Sequence, residues 1–410
     1  MDVKSAFLNG YLDEEIFIEQ PPCFVKKGEE HKVYKLRKAL YGLRQSPRAW
    51  NSRINSYFEK NGFHKCPYEH TLFVKNHGKE GFIIVSLYVD DFIFTGNNME
   101  LLNNFRASMK REFEMTDLGK LHHFLGIEVH QGREGIFISQ EKYANDILKK
   151  FKMEQANPVS TPCVAGLKLN KNGEGKLVNP SVFRSLVGNL MYLTATRPDI
   201  MFAVSLVSRF MEKPYSNHLE VAKRVLKYVK GTIDCGIFYQ ANLPITFMGY
   251  IDSDLAGSVD DSKSVVGYVF NIGSGAISWM SKKWPVVALS TTEAEYIAAC
   301  AAGCQIIWSQ GVLESLKFKP EKPTILFCDN SSTISVAKDL VLHRRTKQIR
   351  TRFHFLRDLI KDGTIQIEYC RSRDQVADIL TKCLSQQLFK EINAKLGVKR
   401  EFGLQEGLLE

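Results

Sequence analysis

Residues 83–94 read IIVSLYVDDFIF, from Ile83 to Phe94. The run is apolar and rich in β-branched residues, and only Asp90-Asp91 breaks it. Unpaired carboxylates inside an apolar strand are costly, so the pattern predicts two strands joined by a tight turn that presents both acids. Carboxylates held together this way suit a divalent cation. Magnesium takes oxygen ligands, commonly one or two carboxylates plus substrate phosphates, and two such ions can clamp the attacking and leaving oxygens of a phosphoryl displacement. The plainer alternative for any Asp-Asp pair is an exposed hairpin turn. The embedding in YVDD, with apolar residues on both sides, favours the first reading.

Upstream, residues 46–58 read as a helix with Pro47 in its first turn. Downstream, Arg133-Glu134-Gly135 closes a hairpin between residues 127–129 and 136–138. Residues 139–155 form an amphipathic pattern with Tyr143, Ile147, Leu148 and Phe151 on one stripe. A polar, Gly-rich stretch over 163–180 is the linker candidate. Residues 181–230 are strongly helical, and basic residues recur there: Arg184, Arg197, Arg209, Lys223, Arg224, Lys227 and Lys230. Near residue 245 the pattern changes. Strand-like runs at 246–251, 264–272 and 276–280 precede a long helix over 292–316, a strand at 324–327, a basic helix over 348–361 and a strand at 365–369. That order predicts a mixed five-stranded α/β sheet flanked by helices.

A chain of 410 residues exceeds one ordinary core, so two or three domains are expected. Its formal net charge is +10 and its pI about 9.0, a surplus that suits a polyanionic partner. The nine cysteines form no CxxC pair, and adjacent His122-His123 would point to opposite faces of a strand. No zinc site is expected, and the cysteines read as free thiols of a reducing compartment. No apolar run suggests a bilayer span, and Met1-Asp2-Val3-Lys4 is unlike a signal peptide. A cytoplasmic or nuclear location is expected.

The last third holds four acids at telling places. Asp252 ends the first strand, Glu295 lies one turn into the long helix, Asp329 follows the fourth strand, and Asp378 opens the last helical segment. Carboxylates so placed can converge on one cleft suited to two-metal hydrolysis of a phosphodiester. Ser290 and Glu293 fit a capping box, and Glu293 and Glu295, two apart, point to different faces. Glu295 is therefore the expected ligand. Asp254, Asp260 and Asp261 are expected at the surface or in loops.

MDVKSAFLNG (1–10), ALYGLRQSPRAW (39–50), LYVDDFIFTG (87–96) and FLGIEV (124–129), together with GYIDSD, STTEAEY, CDN and VADILTK farther on, resemble the reverse transcriptase and RNase H of copia-type LTR retrotransposon Pol polyproteins. The resemblance covers essentially the whole chain. It implies an α/β and α+β architecture: a truncated reverse transcriptase palm over 1–138, lacking the fingers and first palm strand; a helical thumb/connection region over 139–245; an RNase H-like α/β domain over 246–385; and a C-terminal tail over 386–410. It implies Asp2, Asp90 and Asp91 as metal ligands of a polymerase site and Phe7 beside the nucleotide sugar. Gly42, Arg44, Gln45 and Pro47 fall in the template-proximal loop, and Phe124, Leu125 and Gly126 in the primer grip. Asp252, Glu295, Asp329 and Asp378 are implied as ligands of a ribonuclease site.

Two Mg²⁺ or Mn²⁺ ions per site, an RNA template, a primer-template, an RNA–DNA hybrid and deoxynucleoside triphosphates are the implied cofactors and partners, without a membrane. The implied location is a cytoplasmic virus-like particle or the nucleus. Arg345, Lys347 and Arg352, in an arginine-dense stretch, are candidates for phosphates of the hybrid. The histidine many RNases H carry before the fourth carboxylate is missing from residues 369–374, and Leu255 stands where tryptophan is common. With only Met1 ahead of Asp2, the chain alone is expected not to polymerise. The competing expectation is an inert nucleic-acid-binding remnant.

Overall fold

The YVDD step is a two-residue hairpin. In the computed structural model, which describes residues 1–318, 322–338 and 347–401 with backbone alone for 347–353, Tyr88 pairs with Asp91 across it and Val89 takes φ 57. The chain divides into two compact units, Met1–Leu121 with Trp308–Lys319, and His122–Ile307 with Pro320–Glu410.

The first unit opens with β1 (Asp2–Val3), then a small hairpin of β2 (Phe17–Glu19) and β3 (Val33–Lys35). Helix α1 (Ser46–Lys60) follows, with Pro47 in its first turn and Trp50, Ile54, Tyr57 and Phe58 on its buried face. Next come β4 (His64–Lys65), β5 (Leu72–Asn76), β6 (Phe82–Tyr88) and β7 (Asp91–Gly96). Helix α2 (Met99–Glu112) starts at Asn98, whose side chain accepts the N–H groups of Glu100 and Leu101. Strand β8 (Met115–Thr116) ends the run. The sheet order is β4-β5-β6-β7-β1-β8. In β6 the side chains alternate, with Ile83, Val85 and Leu87 buried. Phe58 packs on Phe73 at a ring separation of 4.6 Å and joins Phe92, Phe105 and Met109 in the core. The expectation that no strand positions Asp2 is corrected: β1 is inserted between β7 and β8, with Asp2 opposite both Asp91 and Thr116.

The second unit begins with β9 (His123–Phe124), β10 (Ile127–Gln131) and β11 (Gly135–Ser139). Four helices follow: α3 (Glu141–Lys150), α4 (Pro180–Leu193), α5 (Met201–Ser208) and α6 (Ser216–Lys230). Strand β12 (Cys235–Gln240) returns to pair with β11. A meander of β13 (Phe247–Ser253), β14 (Val265–Ile272) and β15 (Gly275–Lys283) precedes α7 (Thr291–Ser315). Then come β16 (Thr324–Cys328), α8 (Ser331–Lys338), α9 (Lys347–Lys361), β17 (Ile365–Tyr369), α10 (Gln386–Lys395) and β18 (Val398–Arg400). Two five-stranded sheets result, β18-β12-β11-β10-β9 and β15-β14-β13-β16-β17. In the second sheet β13, β16 and β17 run parallel and the β13–β14–β15 pairings are antiparallel.

One continuous core joins the helical region to that sheet. Ile147, Phe183, Leu190, Val207 and Val225 share it with Val265, Val269 and Ala276, and with Phe389 and Ile392 of α10. Residues 386–400 are therefore not a tail: α10 fills the core and β18 pairs with β12. Helix α7 is long and apolar enough, by length and composition alone, to cross a membrane, contrary to the reading that no run is. In the fold 61% of its apolar window is buried, which accounts for that composition as helix packing.

The basic residues that recur in the helical region do not form one exposed set. Arg184, Lys223 and Lys227 are indeed exposed, but Arg197 is 1% exposed. Its Nε and Nη2 donate to the two Asp199 oxygens at 2.9 and 2.7 Å, and Nη1 donates to the Thr232 carbonyl at 2.8 Å. The Tyr228 hydroxyl donates to Asp199 at 2.6 Å. Arg224 also turns inward, donating to Thr161. Breaking a buried, hydrogen-bonded ion pair from one side costs about 3–5 kcal/mol. Asp199→Ala should lose that much in urea unfolding. The double change Arg197→Met with Asp199→Leu should recover most of it, because apolar replacement of both partners leaves no stranded charge. An Asp199→Ala loss below about 1 kcal/mol would show that the pair behaves as an exposed one.

Candidate active site

Parallel pairing of β13 with β16 is what gathers the second set of acids. The register matches Tyr250 with Phe327, so two residues farther along Asp252 falls beside Asp329, both at the carboxyl ends of their strands. Helix α7 delivers Glu295 from above the sheet. Oxygens of Asp252, Glu295 and Asp329 lie within 4.8 Å of one another. Among the described residues this is the one group of three or more potential ligands so close together.

The capping box holds that helix in phase. Ser290 Oγ accepts the Glu293 N–H at 3.1 Å, while Glu293 Oε2 accepts from the Leu289 N–H at 2.9 Å, one residue before the expected partner. Glu295, on the inner face, is 4% exposed, and its Oε1 accepts the Ser253 N–H at 2.8 Å. The Cys328 thiol approaches Oε2 at 3.9 Å.

Asp378 stands on a 3₁₀ turn, Val376–Leu380, packed on β14. A side chain at Gly267, the cross-strand neighbour of Asp252, would put its Cβ 2.8 Å from Thr381. Glycine there lets the turn close down, and the Thr381 hydroxyl donates to Asp252. Asp378 is not in the three-oxygen group; Lys382 ties it in. The Lys382 ammonium lies 2.9 Å from Asp378 Oδ1 and 3.4 Å from Asp252 Oδ1. Thr381 and Lys382 were missed in the sequence, although both stand in VADILTK and the Asp378–Lys382 spacing of four was legible.

Asp254, expected at the surface or in a loop, lies in the loop after β13. It is half-buried, accepts the Val265 N–H, and burial pushes its carboxyl up to about 6. Asp260 and Asp261 do lie in the loop, where Lys283 pairs with Asp261 at 3.0 Å. Leu255 is exposed.

In the first unit Asp2 stands opposite Asp91, and the Val3 N–H bonds the Asp90 carbonyl at 2.9 Å. Burial, then Asp90 and Asp2, push the Asp91 carboxyl upward. The Trp50 indole N–H donates to the Val89 carbonyl at 2.6 Å and fixes the hairpin tip. Phe7 packs against Tyr41 at 4.9 Å. Gly42 takes φ +94, Arg44 is exposed, Gln45 precedes α1 without a side-chain capping bond and Pro47 lies in its first turn. Phe124, Leu125 and Gly126 belong to the second unit and form the tight β9–β10 turn. Leu125 and Gly126 are both left-handed there, and the Leu125 carbonyl accepts from the Tyr192 hydroxyl. Arg345 and the side chains of Lys347 and Arg352 lie outside the described residues.

Electrostatics of the acid cluster set its response to pH. Burial first, then Asp252, raises Glu295; burial and Asp252 likewise raise Asp378, against the pull of Lys382. An acid with a raised folded pKa stabilises the fold in acid, and that contribution is lost as pH rises through the folded value. Asp254 acts in the same direction. Lowered acids such as Asp261 act only below about pH 4. Metal-free chain should therefore lose thermal stability between about pH 5 and about pH 8. Glu295→Gln should shrink that loss, and Mg²⁺ should reverse it. A midpoint that rises with pH in the metal-free chain would contradict this account.

The reverse transcriptase (RNA-dependent DNA polymerase) family profile matches residues 1–165. The retrovirus-related Pol polyprotein from transposon RE1 of Arabidopsis thaliana is 38% identical over 98% of this chain, which spans 27% of that polyprotein's length. The putative transposon Ty5-1 protein of Saccharomyces cerevisiae is 33% identical over 73% of this chain and 98% of its own. A solved foamy viral protease-reverse transcriptase in complex with RNA/DNA hybrid superposes with a TM-score of 0.48 at 12% identity, over 90% of this chain and 43% of that one. On sequence kinship that runs the length of one whole transposon protein, this chain belongs to the copia-type retrotransposon Pol family, with the reverse transcriptase profile over its first 165 residues.

Proposed function

We propose that the second unit is a ribonuclease that cuts the RNA strand of an RNA–DNA hybrid. One observation carries the reading: oxygens of Asp252, Glu295 and Asp329 converge within 4.8 Å. All three donors are hard oxygens, the set Mg²⁺ or Mn²⁺ prefers, so the residues fit the implied ions. Asp252, Glu295 and Asp329 would hold one and Asp252 with Asp378 a second. Bound there, the ions would activate water and stabilise the leaving oxygen.

The chain's own groups do the positioning. The Ser253 N–H orients Glu295, and the Thr381 hydroxyl orients Asp252. Lys382 balances Asp252 and Asp378 and is the cation that a second ion must displace. The exposed Arg184, Lys223 and Lys227 supply sequence-independent attraction to a polyanion. A hybrid substrate, a primer-template and a place in a cytoplasmic particle belong to the same reading.

Purified chain should cleave the RNA of a labelled hybrid with Mg²⁺ or Mn²⁺. Asp329→Asn should abolish cleavage while leaving hybrid binding at low salt intact. Retained cleavage would remove Asp329 from the site. Folded wild-type chain that binds hybrid without cutting it would favour the reading as an inert binding remnant.

Polymerisation is assigned to the family rather than to this chain. Asp2 faces Asp91 across the β1–β7 pairing, and the compact three-oxygen group lies in the other unit. A primer-extension assay on this chain should show little or no deoxynucleotide incorporation. Processive extension would place a working second metal site at Asp2, Asp90 and Asp91.

A further inference from the structure

Beside the carboxylate cluster, within the second unit, lies a cavity of about 190 Å³. Its walls are the loop over 166–171, the end of α5 at Arg209, the loop joining β13 to β14, and Thr381-Lys382. Lys382 thus lines the cavity and also touches Asp252 and Asp378. The Lys171 backbone N–H bonds Asp260 at 2.9 Å, which pins one loop to the other across the cavity's mouth.

Among the charged residues of the lining, five cations outnumber two acids, Asp254 and Asp260. Lys283 and Lys382 already have carboxylate partners. Lys168 and Lys171 are exposed and form no ion pair among the described residues. Arg209 is the telling residue: its Nε and Nη2 are buried yet meet no hydrogen-bond acceptor in the protein. Asp254 and Asp261 attract its charge without bonding it. The Asp254 carboxyl instead accepts the Val265 N–H. Leaving buried donors unpaired is a cost that native folds rarely carry without a reason. A guanidinium fork held open against the apolar wall of Phe202, Leu206 and Phe210 matches a tetrahedral oxyanion, which it can grip through two N–H groups at once.

We propose that this cavity receives a backbone phosphate of the nucleic-acid strand passing over the carboxylate cluster, gripped by Arg209 with Lys168 and Lys171 at the rim. The proposal deepens the hybrid-cleavage reading and rests on it for the strand's path. Arg209 is a positioning residue in it: it sets the register of the strand and touches no reacting atom.

The test is binding of a 20-base-pair RNA–DNA hybrid to the full chain, read by fluorescence anisotropy in Ca²⁺ across a salt series, so that no cleavage is needed. Arg209→Met should weaken binding about tenfold at fixed salt, the loss expected of charge-assisted hydrogen bonds. It should also make the slope of log affinity against log salt shallower by about one. Arg209→Lys, which keeps the charge, should restore the slope but not the whole affinity. Lys168→Ala with Lys171→Ala, both at exposed positions, should flatten the slope without touching the core. The thermal midpoint of Arg209→Met should hold or rise; a purely structural arginine would lower it and leave the salt slope alone.

Unchanged slopes in both the Arg209→Met and the double-lysine variants would overturn the proposal. If inorganic phosphate then stabilised wild type but not Arg209→Met, the cavity would be a free-anion site and the nucleic-acid assignment would fall. Arg209-dependent binding by a chain that cleaves nothing in Mg²⁺ would sink the hydrolase reading and leave the cavity assignment standing.

Discussion

Mutual repulsion among carboxylates is the constraint around which the second unit is built. Three acid oxygens within 4.8 Å, with Asp252 and Glu295 nearly inaccessible to water, repel one another in a medium that screens poorly. Unsupported, such acids would take up protons or turn outward. The fold opposes the second by holding Asp252 to the Thr381 hydroxyl and Glu295 to the Ser253 N–H, and it draws the neighbouring Asp378 to Lys382. The result is a site whose geometry is fixed in advance and whose charge is left partly uncompensated, which is the condition for attracting a small hard cation.

Rigidity of this kind has to come from somewhere, and the shared core supplies it. The 3₁₀ turn carrying Asp378 rests on β14 at Gly267, and β14 is buried along nearly its whole length. Beyond that sheet the helices α3–α6 fill one continuous apolar interior, and Trp279 of β15 donates its indole N–H to the Thr194 carbonyl at the end of α4. The helical region and the last sheet therefore behave as one packed body. The buried Arg197–Asp199 pair sits in the same interior, bonded to Tyr228 and Thr232 of the α6 end.

Local signals made much of this legible. The YVDD hairpin was readable because an apolar, β-branched run is broken only by two adjacent acids, and Glu295 was separable from Glu293 because a capping serine fixes the phase of the helix. The order of strands and helices after residue 245 was enough to anticipate a five-stranded mixed sheet. What escaped depends on partners remote in sequence or on direction. Nothing near Arg197 marks it as buried except an aspartate two residues on. Lys382 stands four residues after Asp378, but its role appears only when β13 brings Asp252 alongside. Pairing of Ile237 with Val398 spans most of the second unit, so residues 386–400 read as a tail. Asp254 looked like a loop acid because the loop that folds back over it leaves no mark in composition.

Strand β18 has a temporal meaning as well as a spatial one. Its three residues add the edge strand to a sheet whose other members, β9 to β12, were all made by residue 240, and α10 just before it supplies Phe389 and Ile392 to a core begun at residue 144. During synthesis on the ribosome, β12 lacks this second neighbour while some 160 residues more are added, a count on the order of 10 s of translation. Asp378 also arrives in that interval, shortly before β18 itself is made. A chain released before that point carries neither the fifth strand nor the complete set of acids.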